Sequence, residues 1–173
     1  MSGPLKLLVK NLDKPAQPIN LNLISLQKGP NGFEPKGRLQ TSKINNGNPT
    51  VIIVWVTTHA PCLNNLSQYE LLAGLADQLQ TVNFIFLDYD PDNFKSEELD
   101  TLAQVFGDYT PSFPIHTLDP QTPEDQHPSK QFQSFIVPEF IMLDANHKTI
   151  EHFVLNDRPS FTKALALISR PPQ

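Results

Sequence analysis

The sequence predicts an α/β domain: a central mixed β-sheet flanked by helices on both faces, with an N-terminal extension. Three observations carry this. First, VIIVW (51–55), FIFL (84–87) and FIML (140–143) are short apolar runs, rich in β-branched or aromatic residues and bounded by turn formers. Runs apolar on both faces suit central strands covered from each side. Second, stretches with apolar residues at helical spacing lie between these runs. Third, the last run passes through a DANHK turn into TIEHFV (149–154), which alternates and so makes a hairpin. Strand–helix alternation ending in a hairpin gives a mixed sheet.

Each element follows in order. Residues 1–18 read as an arm, because prolines at 4, 15 and 18 argue against a stable helix. From Ile19, INLNLISL alternates like a half-buried strand, and KGPNG (28–32) is a turn signal. Residues 33–50 are polar, contain Gly and Asn, and read as a surface connection. After the first apolar run, CLNNLSQYELLAGLADQLQ places Leu66, Tyr69, Ala73, Ala76 and Leu79 on one helical stripe. SEELDTLAQVFG does the same with Leu99, Leu102, Ala103 and Phe106, and Gly107 suits its stop. PIHTL (114–118) is a weaker strand, and the proline-rich DPQTPEDQHPSKQ (119–131) reads as a surface loop. PSFTKALALIS (159–169) closes the chain as a helix with Phe161, Ala164, Leu165 and Ile168 inward. Residues 19–173 therefore form a single domain behind the 1–18 arm.

Composition excludes several classes. With 39% hydrophobic and 18% charged residues the chain is an ordinary globular sequence, long enough to bury a core without staples. The net charge is −5 and no Lys/Arg block stands out, so nucleic acid is not an expected partner. No apolar stretch reaches the roughly 18 residues a membrane helix needs. The start is broken by Lys6, Lys10 and prolines and does not read as a signal peptide. Two readings remain for the compartment: the cytosol, or the cell envelope with a signal or anchor trimmed away. One cysteine excludes an intramolecular disulfide and a cysteine-only zinc site.

That cysteine sits in WVTTHAPC (55–62), directly after the first apolar run and before the first helix. The segment resembles the active-site stretch of thioredoxin-like proteins. The likeness extends to the TlpA/ResA-type thiol–disulfide oxidoreductases, whose segment reads W-x-x-W/T-C-x-P-C. Trp55 matches the tryptophan, Pro61 and Cys62 match the closing P-C, and His59 stands at the first cysteine. FGDYTPSFPIHTLD resembles that family's Y-G-V-x-x-F-P-V-x-x-D stretch. FIVPEFIMLDANHKTI resembles its V-x-x-[VL]-P-T-T-F-L-I-D-x-x-G-K-I stretch, which makes Val137-Pro138 the expected cis-proline pair facing the active site. The resemblance spans roughly residues 19–169 and implies a thioredoxin-like fold. It also implies a bacterial, periplasmic or cell-envelope location. Glu139 stands where the family has Thr, and Asn146-His147 where it has Asp-Gly.

Dithiol exchange needs two sulfurs: one at the helix start attacks, and one a turn later resolves the mixed disulfide. On this alignment only the second remains. An imidazole at 59 cannot form a disulfide, so the degenerate HxxC motif argues against a dithiol enzyme. Three readings of the function stay open. The favoured one is a protein- or peptide-binding member of the family, with a groove formed by Trp55, Pro61, Val137, Pro138 and Glu139 beside His59. The second is a monothiol redox enzyme using Cys62. The third is copper or zinc binding through His59 and Cys62, which are too few for a closed site; His116, His127, His147 and His152 are further candidate ligands. A peroxiredoxin-type site needs Thr three residues before its cysteine, where His59 stands. Trp55 reads equally as core packing, and Glu139 reads as solvated rather than as a charge that selects basic partners. No cofactor is expected, and the oligomeric state is not encoded in any motif.

Overall fold

The computed structural model describes residues 17–30, 32–56, 65–89, 104, 106, 111, 113–132 and 136–172. Its strands are β1 (Asn22–Gly29), β2 (Gly32–Gln40), β3 (Thr50–Trp55), β4 (Asn83–Asp88), β5 (Ile115–Leu118), β6 (Glu139–Leu143) and β7 (Thr149–Val154). The helices are α1 (Leu66–Leu79), the short α2 (Pro128–Gln131) and α3 (Arg158–Ser169). All seven strands join one sheet in the order β2-β1-β5-β4-β3-β6-β7. Strands β3, β4 and β5 run parallel, and every other pairing is antiparallel.

The apolar runs become the centre of this sheet because they have no polar face to give to water. All six residues of β3 are buried. Val51, Ile53 and Trp55 join one cluster with Phe86, Phe140, Met142 and the inward residues of α1 and α3. Ile52 and Val54 join the opposite cluster with Ile85, Leu87, Ile141 and Leu143. Period-two alternation thus divides each run between two cores. The second face also takes Ile19 and Leu21 from the segment before β1, and Phe132 from just beyond α2. That leading segment is tied down by Ile19 N–H donating to the His147 carbonyl (2.7 Å) and by Leu21 N–H donating to Thr41 Oγ1 (2.9 Å).

Helix α1 buries Tyr69, Leu72, Ala73 and Ala76. Leu79, expected on this stripe, is 40% exposed in the last turn, and Leu72 is buried instead. Helix α3 buries Phe161, Ala164 and Ile168 and starts with a capping box. Asp157 accepts from Ser160 N–H (2.9 Å), and Ser160 Oγ accepts from Asp157 N–H (3.2 Å), satisfying two donors at the helix start. The helix expected over SEELDTLAQVFG lies outside the described residues apart from Gln104 and Phe106, and Phe106 is buried against Trp55 and Phe33.

Two expectations need correction. Part of the 33–50 surface connection is strand β2, paired antiparallel with β1 along its length. Pro35, Lys36, Gly37 and Arg38 look like loop chemistry, but β2 is an edge strand, where such residues block further pairing. A register shift at Ser25/Leu26 accommodates Pro35. The 119–131 loop, in turn, is an ordered cap. It holds a 3₁₀ turn at Glu124–Gln126 and α2, with Asp119, Thr122 and Pro128 buried. Gln131 clamps it to the leading segment by accepting from Asn20 N–H (3.1 Å) and donating to the Asn20 carbonyl (2.8 Å).

The β6–β7 turn is built on Asp144, whose Oδ1 accepts from the N–H groups of Asn146 (2.8 Å) and Lys148 (3.0 Å). His147 there has φ 67°, a left-handed conformation that a Cβ disfavours. Replacing His147→Gly relieves this while keeping the backbone bonds. We expect a gain of about 0.5–1 kcal/mol, seen as a Tm rise of about 1–4 °C. An unchanged or lowered Tm would show that the side chain contributes more than its backbone strain costs.

Candidate functional site

The antiparallel pairing of β3 with β6 decides what meets at one edge of the sheet. Val54 lies opposite Glu139, so the end of β3 and the start of β6 coincide. Trp55 and Val56 run out beside the segment that enters β6. The Val137–Pro138 peptide in that segment is cis. Pro138 is held in place by its carbonyl, which accepts from Leu155 N–H at 2.8 Å just beyond β7. Val137 packs against both hydrophobic clusters, at the seam between the two faces. Its own N–H and C=O make no hydrogen bond among the described residues. Ile136 next to it is 61% exposed.

Glu139 departs from expectation. Rather than being solvated, it is 1% exposed, because β6 is covered on both faces and its first residue turns inward. A carboxylate in such a place needs donors on both oxygens. Oε1 accepts from Ile136 N–H at 2.6 Å, and Oε2 contacts His152 Nε2 on β7 at 2.7 Å. The His152 ring is itself steadied edge-on by Phe132, with centroids 5.9 Å apart. Neither His152 nor Ile136 stood out in the sequence as part of this constellation. The only local signal was a His and a Glu on two strands of one hairpin.

Trp55 is fully buried between Phe86 (centroids 4.9 Å apart) and Phe106 (5.8 Å). It supports the edge from beneath and gives no exposed wall to a groove. His59, Pro61 and Cys62 lie outside the described residues, so the HxxC pair belongs to the sequence argument alone. The four other histidines are placed apart. His116 lies in β5, His127 precedes α2, His147 is in the β6–β7 turn and His152 is paired with Glu139. His127 has its own partners in Tyr89 Oη (3.3 Å) and the Thr122 carbonyl (3.2 Å). Among the described residues no three His, Cys, Asp or Glu side chains stand together as metal ligands. No described helix is long and apolar enough to cross a membrane.

No protein-family model and no curated protein sequence matches this chain. Solved structures do. The thioredoxin domain of a thiol–disulfide oxidoreductase from Bacteroides vulgatus superposes with a TM-score of 0.61 at 12% identity, covering 90% of this chain and 96% of that one. A protein described as the thiol:disulfide interchange protein DsbE, from Chlorobium tepidum, gives 0.60 at 18% identity, covering 90% and 94%. The exposed lipoprotein thioredoxin of Streptococcus pneumoniae gives 0.59 at 15% identity, covering 85% and 98%. Likeness at these identities defines a fold: the chain has the thioredoxin-like fold. The structures it resembles are those of thiol–disulfide oxidoreductases.

One buried histidine gives the structure a measurable acid response. His116 is 5% exposed, and its Nδ1 has no partner among the described residues. Burial disfavours its charged form and lowers its pKa from 6.5 to about 4. Between these two pH values the unfolded chain binds a proton that the folded chain does not. Stability is therefore full above the upper value and falls as pH drops toward the lower one, by about 3 kcal/mol in total. In urea melts across this window, His116→Leu should lose less stability than the wild type by about that amount. Equal losses would mean that the imidazole is protonated in the folded state.

Proposed function

We propose that this chain is a thioredoxin-like protein of the TlpA/ResA type that has left dithiol exchange and binds an extended segment of a protein partner. The observation that carries this is that the Val137 N–H and C=O, beside the exposed Ile136, make no hydrogen bond among the described residues, in a chain with a single cysteine. Free N–H and C=O groups at a sheet end can bond an added strand without any sulfur. The groove consists of Val137 and Pro138, with Ile136 at its rim. On the sequence resemblance, His59 occupies the attacking position and Cys62 the resolving one. A location in the bacterial cell envelope fits this reading, and the pneumococcal relative in fold is a lipoprotein by description.

The monothiol and metal readings each rest on Cys62, and nothing among the described residues adds to either. Labelling of the folded chain with iodoacetamide tests the first, and titration with Cu(I) and Zn(II) the second.

A gain-of-function substitution tests the main reading. In insulin reduction driven by dithiothreitol, the wild type should show no rate above the uncatalysed blank. His59→Cys recreates C-x-x-C and should raise the rate by about tenfold or more, since both sulfurs are then on one chain. Clear wild-type turnover would sink the proposal. An inert His59→Cys that folds normally would mean that 59 and 62 are not the active-site positions.

A further inference from the structure

We infer that Glu139 is a positioning residue: anchored by His152, its carboxylate sets the backbone of residues 136–138. It also keeps acidic charge off the surface they present, which selects an apolar extended partner segment. The partner half of this rests on the binding role proposed above; the positioning half does not.

The geometry supports the positioning half directly. Ile136 is 61% exposed, yet its N–H donates inward to an oxygen of a residue 1% exposed. A charge-assisted bond of this kind is shorter and stronger than one between neutral groups. It closes a ring around Val137 and the cis peptide, so Val137, whose N–H and C=O make no hydrogen bond among the described residues, is held from both sides. The other carboxylate oxygen meets His152 on β7, so the ring is fixed to the sheet and does not move alone. Two donors converge on two acceptors. Only a carboxylate offers two acceptors here, and the family's Thr offers a single oxygen on a shorter stem.

The selectivity half follows from where the charges go. The Glu139 carboxylate faces His152, and among the described residues no other charged side chain pairs with either. From β7, Glu151 pairs with Lys163 of α3 at 3.3 Å. Across β6, Val54 and Val154 oppose Glu139, and both are apolar. Among the described residues, what the segment offers outward is the Ile136 side chain. Burying that side chain favours an apolar contact. A basic peptide gains nothing from a carboxylate turned away from it.

The Ile136 amide reports on this in the intact chain by nuclear magnetic resonance. In the wild type it should exchange slowly with solvent although the residue is largely exposed. Glu139→Leu should speed its exchange by about tenfold or more, while Glu139→Gln, which keeps one acceptor, should retain most of the protection. If Glu139→Leu does not fold, His152→Ala removes the second anchor and should also speed the exchange. Unchanged Ile136 exchange in the variant that folds would overturn the positioning role. Binding is then read with two extended peptides of equal length, one rich in Val and Ile and one rich in Lys. The wild type should prefer the apolar peptide, and Ile136→Ser should lower that preference about tenfold without speeding exchange at the same amide. Preference for the Lys-rich peptide would overturn the selectivity. If neither peptide binds the wild type while the amide responds as expected, the binding role fails and the selectivity with it, but the positioning of the segment stands.

Discussion

Strand β3 has no side left for water, and the rest of the fold follows from that. Burying one aliphatic or aromatic side chain contributes roughly 1.5–3 kcal/mol, and β3 buries five of them. That gross gain is of the order of a domain's whole net stability. The strand can keep it only if both faces are covered and both edges are paired. Parallel β4 and antiparallel β6 supply the edges. Because β6 runs antiparallel, its entry lies at the exit of β3. The chain that leaves after Trp55 and the chain that arrives through Val137–Pro138 are therefore neighbours, though more than 80 residues separate them in sequence. The candidate site is a consequence of how a doubly buried strand is paired.

The same burial makes Glu139 consequential. A carboxylate at the head of a central strand loses its hydration, and attraction to a partner rarely returns more than that loss. Such a group is weak evidence for stability. It is better evidence for geometry, because both oxygens must be satisfied at once and few arrangements do so. Here the two donors come from different parts of the chain, a segment and a strand. The carboxylate thus couples the entry into β6 to the sheet edge at β7.

What the sequence made legible follows the range of the physics involved. The central strands and α3 were legible because burial writes a local period into the chain. Val137–Pro138 could be placed by resemblance. Strand β2 was not legible, because an edge strand protected by Pro, Lys, Gly and Arg carries the composition of a loop. The cap at 119–131 was hidden because its order comes from Gln131 reaching Asn20, more than 100 residues away. The Glu139–His152 pair was hidden by one residue of register. Close to the turn, Leu143 pairs with Thr149, and extending that register would put Glu151 on the Glu139 face. A shift between Met142 and Leu143 pairs Ile141 with His152 instead, which flips the parity of β7. No periodicity in TIEHFV announces such a bulge. His59, Pro61 and Cys62 remain legible as sequence only.

A site of this kind divides into a part that depends on sulfur and a part that does not. Exchange within one chain needs two cysteines, and this chain has one. The backbone of Val137 needs none, and its bonding capacity is unchanged by what stands at position 59. On the proposed alignment, replacing the leading cysteine would remove covalent capture without removing recognition. It also changes what sets the lifetime of a complex. With a mixed disulfide, release waits for a second sulfur. Without one, release is governed by the non-covalent off-rate, which side-chain contacts at the rim adjust over decades. On the binding role proposed above, an edge fixed by a buried carboxylate would suit a reversible interaction, with Ile136 as the side chain that tunes it.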